Sequence, residues 1–115
     1  MNKFLILFFC LSTLNVFAGT NEINYLDQEG KRIVYKARNV AVKSVNDIEK
    51  VAQKPKETMV KRTGSCIDTA VLIKDLAQKE GLKAEVKLVN KGKHAICIVT
   101  DGVKKYKFSN GKRRY

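Results

Sequence analysis

Gly64 to Gly81 constrains this chain more than any other stretch, because it carries its own start signal, stop signal and buried face. Ser65 is an N-cap residue with Asp68 three positions on, the pattern of a capping box. Cys66, Ala70, Ile73 and Ala77 fall on one helical stripe, flanked by Thr69 and Leu76. Gly81 is a C′ stop, and Leu82 supplies the apolar contact that often follows one. A capped amphipathic helix needs a partner surface, and the sequence after it supplies strands. Ala84, Val86 and Leu88 alternate with Lys83, Glu85 and Lys87, which describes a half-buried strand. Asn90 to Lys93 is a turn and His94 to Thr100 a β-rich run. Asp101-Gly102 is a hairpin dipeptide, and Val103 to Phe108 returns. The expectation is an α+β fold with one central helix packed on an antiparallel sheet.

The register of that hairpin decides which side chains meet. With a two-residue loop, Thr100 pairs with Val103 and His94 with Ser109, which then share a face. Cys97 falls on the opposite face with Ala95, Val99, Tyr106 and Phe108.

Upstream the pattern is weaker. Ile23, Tyr25 and Leu26 lead into Asp27-Gln28-Glu29-Gly30, and Ile33 to Tyr35 is β-rich, so 23–37 reads as a hairpin. Val40 to Val42 reads as a short extended piece. Ser44 with Asp47 forms a second capping-box pattern ahead of Val45, Ile48, Val51 and Ala52, and Pro55 ends that helix. Lys56 to Thr63 reads as a polar connection.

Residues 1–18 have the layout of a secretory signal peptide. Lys3 gives a basic start, Phe4 to Leu11 is an unbroken apolar run, and Val16-Phe17-Ala18 is a cleavage pattern before Gly19. The run is too short to span a bilayer comfortably. Cys10 leaves with it, and bulky Phe9 before Cys10 argues against lipid attachment. Residues 19–115 then form a single exported domain, periplasmic or secreted, with no stable membrane span after cleavage. Its two cysteines, Cys66 and Cys97, allow one disulfide in an oxidising compartment.

Net charge is +12 at neutral pH, or +11 once Lys3 is removed. Such a surface favours anionic partners, such as a lipid headgroup layer, an acidic cell-envelope polymer or an acidic protein. Nucleic acid is a poorer match, because the chain is exported and lacks basic-aromatic stacking motifs. One histidine and two separated cysteines do not make a zinc set. No phosphate-binding loop is present, so neither a metal nor a cofactor is expected.

A thiol at a helix start with an imidazole in reach is the core of a thiol nucleophile site, since helix dipole and cationic ring both favour thiolate. Cys66 and His94 are the residues that fit. Cys66 has two further readings, a buried small side chain or half of a disulfide with Cys97. A strand histidine is often structural too. Such sites use a third group to orient the ring, and Ser109 and Asn110 occupy that place. Asn110 suits the role as an amide, whereas Ser109 carries no charge to stabilise imidazolium.

Gly64-Ser65-Cys66-Ile67-Asp68-Thr69-Ala70, with Lys74, Leu76 and Gly81, resembles the nucleophile helix of transglutaminase-like cysteine peptidases. The closer likeness is to the bacterial exported branch, which includes periplasmic adhesin-cleaving peptidases. His94-Ala95-Ile96 matches that branch's His-Ala strand, and Tyr106 to Asn110 is similar to its third motif. The likeness covers about residues 62–111. It implies a small papain/transglutaminase-like core and cleavage or acyl transfer at peptide or amide bonds of a protein or peptide substrate. Cys66 would be the nucleophile and His94 the general base. Ser109 falls on the catalytic acid's position and Asn110 on the neighbouring Asn. Asp68 matches an acidic position that in some relatives helps bind calcium. Two departures stand out: the acid is absent, and no substrate-binding insertion separates Cys66 from His94. These departures favour a second function, a non-catalytic basic binding or inhibitory module of the same fold.

Overall fold

A computed structural model of the chain describes residues 11–40 and 42–114, with side chains described from residue 21 onward. Residues 1–10, which hold most of the apolar run, lie outside the described residues.

The Ser65 helix forms as its end signals dictate. It runs Cys66–Lys79 and is called α4, after three helices described below. Ser65 Oγ accepts from the Asp68 amide, and Asp68 Oδ2 accepts from the Ser65 amide at 2.9 Å, so the box is reciprocal. At the other end Leu82 N–H reaches the Ala77 carbonyl at 2.9 Å and Gly81 N–H the Gln78 carbonyl at 3.0 Å. That pair of bonds is a Schellman motif, and it needs the φ of +81° that Gly81 adopts. Burial extends well beyond the single stripe. Asp68, Thr69, Val71 and Leu72 are buried as well as Ala70, Ile73 and Ala77, because α4 has partners on several sides.

One partner is the antiparallel meander β3(Lys83–Val89), β4(His94–Thr100), β5(Lys105–Ser109) and β6(Lys112–Arg114). Its inner face carries Val86, Ala95, Cys97, Val99 and Phe108, all buried in the core with Leu72 and Ile73. The fold is therefore α+β, with the nucleophile-candidate helix on an antiparallel sheet.

The β4–β5 loop has four residues rather than two. Asp101 Oδ1 accepts from the amides of both Val103 and Lys104 at 2.8 Å, which holds the wider turn. Thr100 therefore pairs with Lys105 and Ile96 with Ser109. This shifts the expected register by two residues. An even shift leaves each side chain on its expected face, so His94 and Ser109 still share one. The last hairpin, β5–β6, was not foreseen. Asn110-Gly111 closes it as a two-residue turn with both φ positive, at +53° and +82°.

The N-terminal half departs most from expectation. Residues 23–31 are not a strand and turn. They belong to helix α1(Leu11–Lys31), which buries Ile23 and Leu26 in the core. Asp27 forms an i,i+4 ion pair with Lys31 at 3.0 Å, and its other oxygen takes the Arg113 amide at 2.9 Å, joining α1 to β6. Gly30 lies flush against the Asn110-Gly111 turn: a Cβ there would sit 1.6 Å from the Gly111 carbonyl oxygen. Only β1(Val34–Tyr35) of the expected hairpin is extended, and it pairs in parallel with β2(Thr63–Gly64).

Helix α2(Val45–Val51) begins after Ser44 as expected, but the box does not close. Ser44 Oγ bonds the Asp47 carboxylate instead of a helix amide. Pro55 does not merely end that helix. It opens α3(Pro55–Lys61) at the position where its missing N–H costs nothing, so the expected polar connection is largely helical. Helices α1, α2 and α3 all pack on α4. Among the described residues, no helix is long and apolar enough to cross a membrane.

Candidate active site

Cys66 is the first residue of α4 and His94 the first residue of β4. Both line one cleft of about 390 Å³, where the helix N-terminus meets the strand end. Ser65 and Ile67 adjoin the thiol. Leu88 and Lys93 line it as well, and β1 with the segment after it adds Tyr35, Arg38 and Val40. Cys66 is half-buried against the core edge. As the first helical residue it has an N–H with no intrahelical acceptor, free to bind a developing oxyanion.

His94 is held from its far side. Its Nε2 and Ser109 Oγ are hydrogen bonded at 2.7 Å. A ring protonated on Nε2 donates to that hydroxyl, which leaves the Nδ1 lone pair as the base. No hydrogen bond joins Cys66 to His94 directly; the two share the cleft wall. Asn110 makes no hydrogen bond to His94. It sits in the β5–β6 turn with its Oδ1 buried and unpartnered. Of the two candidate orienting residues, Ser109 therefore touches the ring and Asn110 does not.

Asp68 is fully buried beneath the cleft and accepts from three segments at once. Arg38 Nη1 donates to Oδ1 at 2.7 Å, the Gln53 amide to Oδ1 at 2.8 Å, and the Ser65 amide to Oδ2 at 2.9 Å. Arg38 also donates to the Val51 carbonyl at 2.7 Å. Burial alone would raise the Asp68 carboxyl. The two amides and the guanidinium outweigh that and hold it below the usual carboxylate range. A carboxylate so occupied does not fit a calcium role, because a cation already stands on it. Among the described residues no cluster of three metal-ligating side chains occurs.

No local sequence pattern marks Arg38 or Gln53. Arg38 lies in an irregular segment, and its partner is 30 residues away. Its side chain separates the Cys66 cleft from a larger one of about 470 Å³, lined by Lys36, Gln53, Lys61 and Thr63, that holds neither thiol nor imidazole.

Cys97 is a different kind of thiol. It is fully buried on the inner face of β4, and burial pushes it up to about 12. Both cysteines are free, so Cys66 is not consumed by a disulfide.

Neither a known protein family, nor a curated protein, nor a solved structure matches this chain.

Proposed function

We propose that this chain is an exported thiol acyl-transfer enzyme of the transglutaminase-like kind, a cysteine peptidase or acyl transferase for peptide or amide bonds. The observation that carries the proposal is the shared cleft: Cys66 and His94 both line it, and the His94 ring is held by Ser109 at 2.7 Å.

Cys66 Sγ attacks the substrate carbonyl carbon while His94 takes the thiol proton. Collapse of the tetrahedral adduct breaks the C–N bond, and the amine leaves with that proton. Water, or an acceptor amine in the transferase variant, then attacks the thioester. It gives its proton through His94 to the departing Sγ. The Cys66 amide at the start of α4 holds the oxyanion in both steps. Ser109 fixes the ring but brings no negative charge, so imidazolium is stabilised less than in a site with a carboxylate.

The second reading, a non-catalytic basic module, is favoured by one observation: a neutral hydroxyl stands where an acid is expected.

Acylation by p-nitrophenyl acetate tests the proposal. The expected result is a stoichiometric burst of nitrophenolate with an acetyl thioester on Cys66, abolished in Cys66→Ser and strongly slowed in His94→Ala. A burst unchanged in His94→Ala, or acetylation no faster than that of free cysteine, refutes it.

A further inference from the structure

Beyond His94 and Ser109 at one end, the mechanism leaves the outer face of the sheet unused, and that face is lined with charge. β3 turns Lys83, Glu85 and Lys87 outward, β5 turns Lys105 and Lys107, and β6 turns Lys112 and Arg114. All seven are exposed. The single acid is spent locally, since Glu85 lies 3.6 Å from Lys87. No ion pair among the described residues reaches the other five cations. Lys107 stands directly opposite Arg114 across the ladder. Like charges in that position destabilise a sheet, so the arrangement costs stability and gains nothing within the fold.

Between the cationic strands runs an apolar floor on β4. Ile96 is buried and Ile98 half-buried, the latter beside a shallow cavity of about 290 Å³ bounded by Lys83, Glu85 and Lys105. His94 and Ser109 lie on the same face, at its far end, and Ser109 pairs with Lys112. The charged face therefore ends at His94, which also lines the thiol cleft.

We propose that this outer face binds an extended acidic polypeptide segment. Alternate residues of an extended chain recur about every 6.8 Å, the same spacing that separates Lys105 from Lys107 and Lys112 from Arg114. Carboxylates on one side of such a segment match the cations, and its apolar side chains meet Ile98. A lipid surface is a poorer match, because among the described residues none of the exposed large apolar side chains lies on this face to enter a bilayer. Binding stands whether or not Cys66 turns over. Where the acyl-transfer proposal also holds, the acidic segment belongs to the substrate.

Fluorescence anisotropy of a labelled oligoglutamate with the full chain tests the proposal. Binding should weaken as salt rises toward about 0.15 M, and Cys66→Ala should bind as wild type does. Lys105→Gln/Lys107→Gln/Lys112→Gln should weaken binding about tenfold. The charge-matched Lys43→Gln/Lys50→Gln/Lys56→Gln, on the α2–α3 side, should change it less than about twofold. Lys107→Gln alone relieves the repulsion with Arg114, so it should melt no lower than wild type and still bind about twofold more weakly. Equal weakening in the two triple variants would reduce the effect to net charge and overturn the proposal. So would binding to phosphatidylglycerol vesicles without binding to oligoglutamate, or unchanged binding in Lys107→Gln.

Discussion

Asp68→Asn isolates the link between the candidate site and the rest of the fold. Asp68 Oδ1 takes Arg38 and the Gln53 amide, while Oδ2 takes the Ser65 amide and lies 3.2 Å from Ser65 Oγ. Asparagine can keep the Oδ1 bonds, but its NH₂ then meets the Ser65 N–H donor to donor. The buried Ser65 amide loses its acceptor, at about 1–3 kcal/mol, and Arg38 loses its counter-ion. Removing one partner of a fully buried pair costs about 3–5 kcal/mol. The Arg38 side chain is 28% exposed, so water recovers part of that. A loss of about 3 kcal/mol is the expected sum, which lowers Tm by roughly 12–24 °C in a domain of this size. The pH dependence has a definite sign. The Asp68 carboxyl is lowered in the folded protein, so the unfolded chain binds the proton more readily. Its stabilisation is full above the ordinary carboxylate range and is lost as the pH falls below it. Asp27 and Asp101 are lowered too, so the variant should keep an acid limb, but a shallower one. Thermal melts of wild type and Asp68→Asn from neutral to acid pH check both points. A variant that melts within about 1 kcal/mol of wild type with the same acid limb would refute this role for Asp68.

Gly30→Ala should prevent normal docking of α1, because its Cβ would lie 1.6 Å from the Gly111 carbonyl oxygen, backbone against backbone. A sharply lowered Tm is expected by circular dichroism, well beyond the roughly 1 kcal/mol or less that an ordinary glycine-to-alanine change moves. Cys97 should resist iodoacetamide in the native protein and react only on unfolding, since its thiol is fully buried and pushed up to about 12. Peptide mapping after alkylation distinguishes it from Cys66.

Local chemistry made the second half of the chain legible. The Ser65–Asp68 box, the Gly81 stop and the alternation from Lys83 to Leu88 each act within a few residues. The expected pairing of His94 with Ser109 gives way to Ile96 with Ser109, and the two side chains keep a common face only because the shift is even. The first half was illegible for tertiary reasons. Asp27 to Gly30 looks like a turn, yet Asp27 is used by the Arg113 amide and Gly30 by the Gly111 backbone, more than 80 residues on. Asn110 reads as an orienting amide in the sequence because nothing local marks β6, the strand that makes it a turn residue. Arg38 has no local signal at all; its meaning comes from the buried carboxylate it meets.

The thiol chemistry is tested most directly by mass measurement of Cys66 after brief exposure to p-nitrophenyl acetate, in wild type, His94→Ala and Ser109→Ala. An acetyl thioester that forms quickly in wild type, slowly in His94→Ala and at an intermediate rate in Ser109→Ala is the predicted result. Equal acetylation in all three chains would contradict a Cys66–His94–Ser109 site.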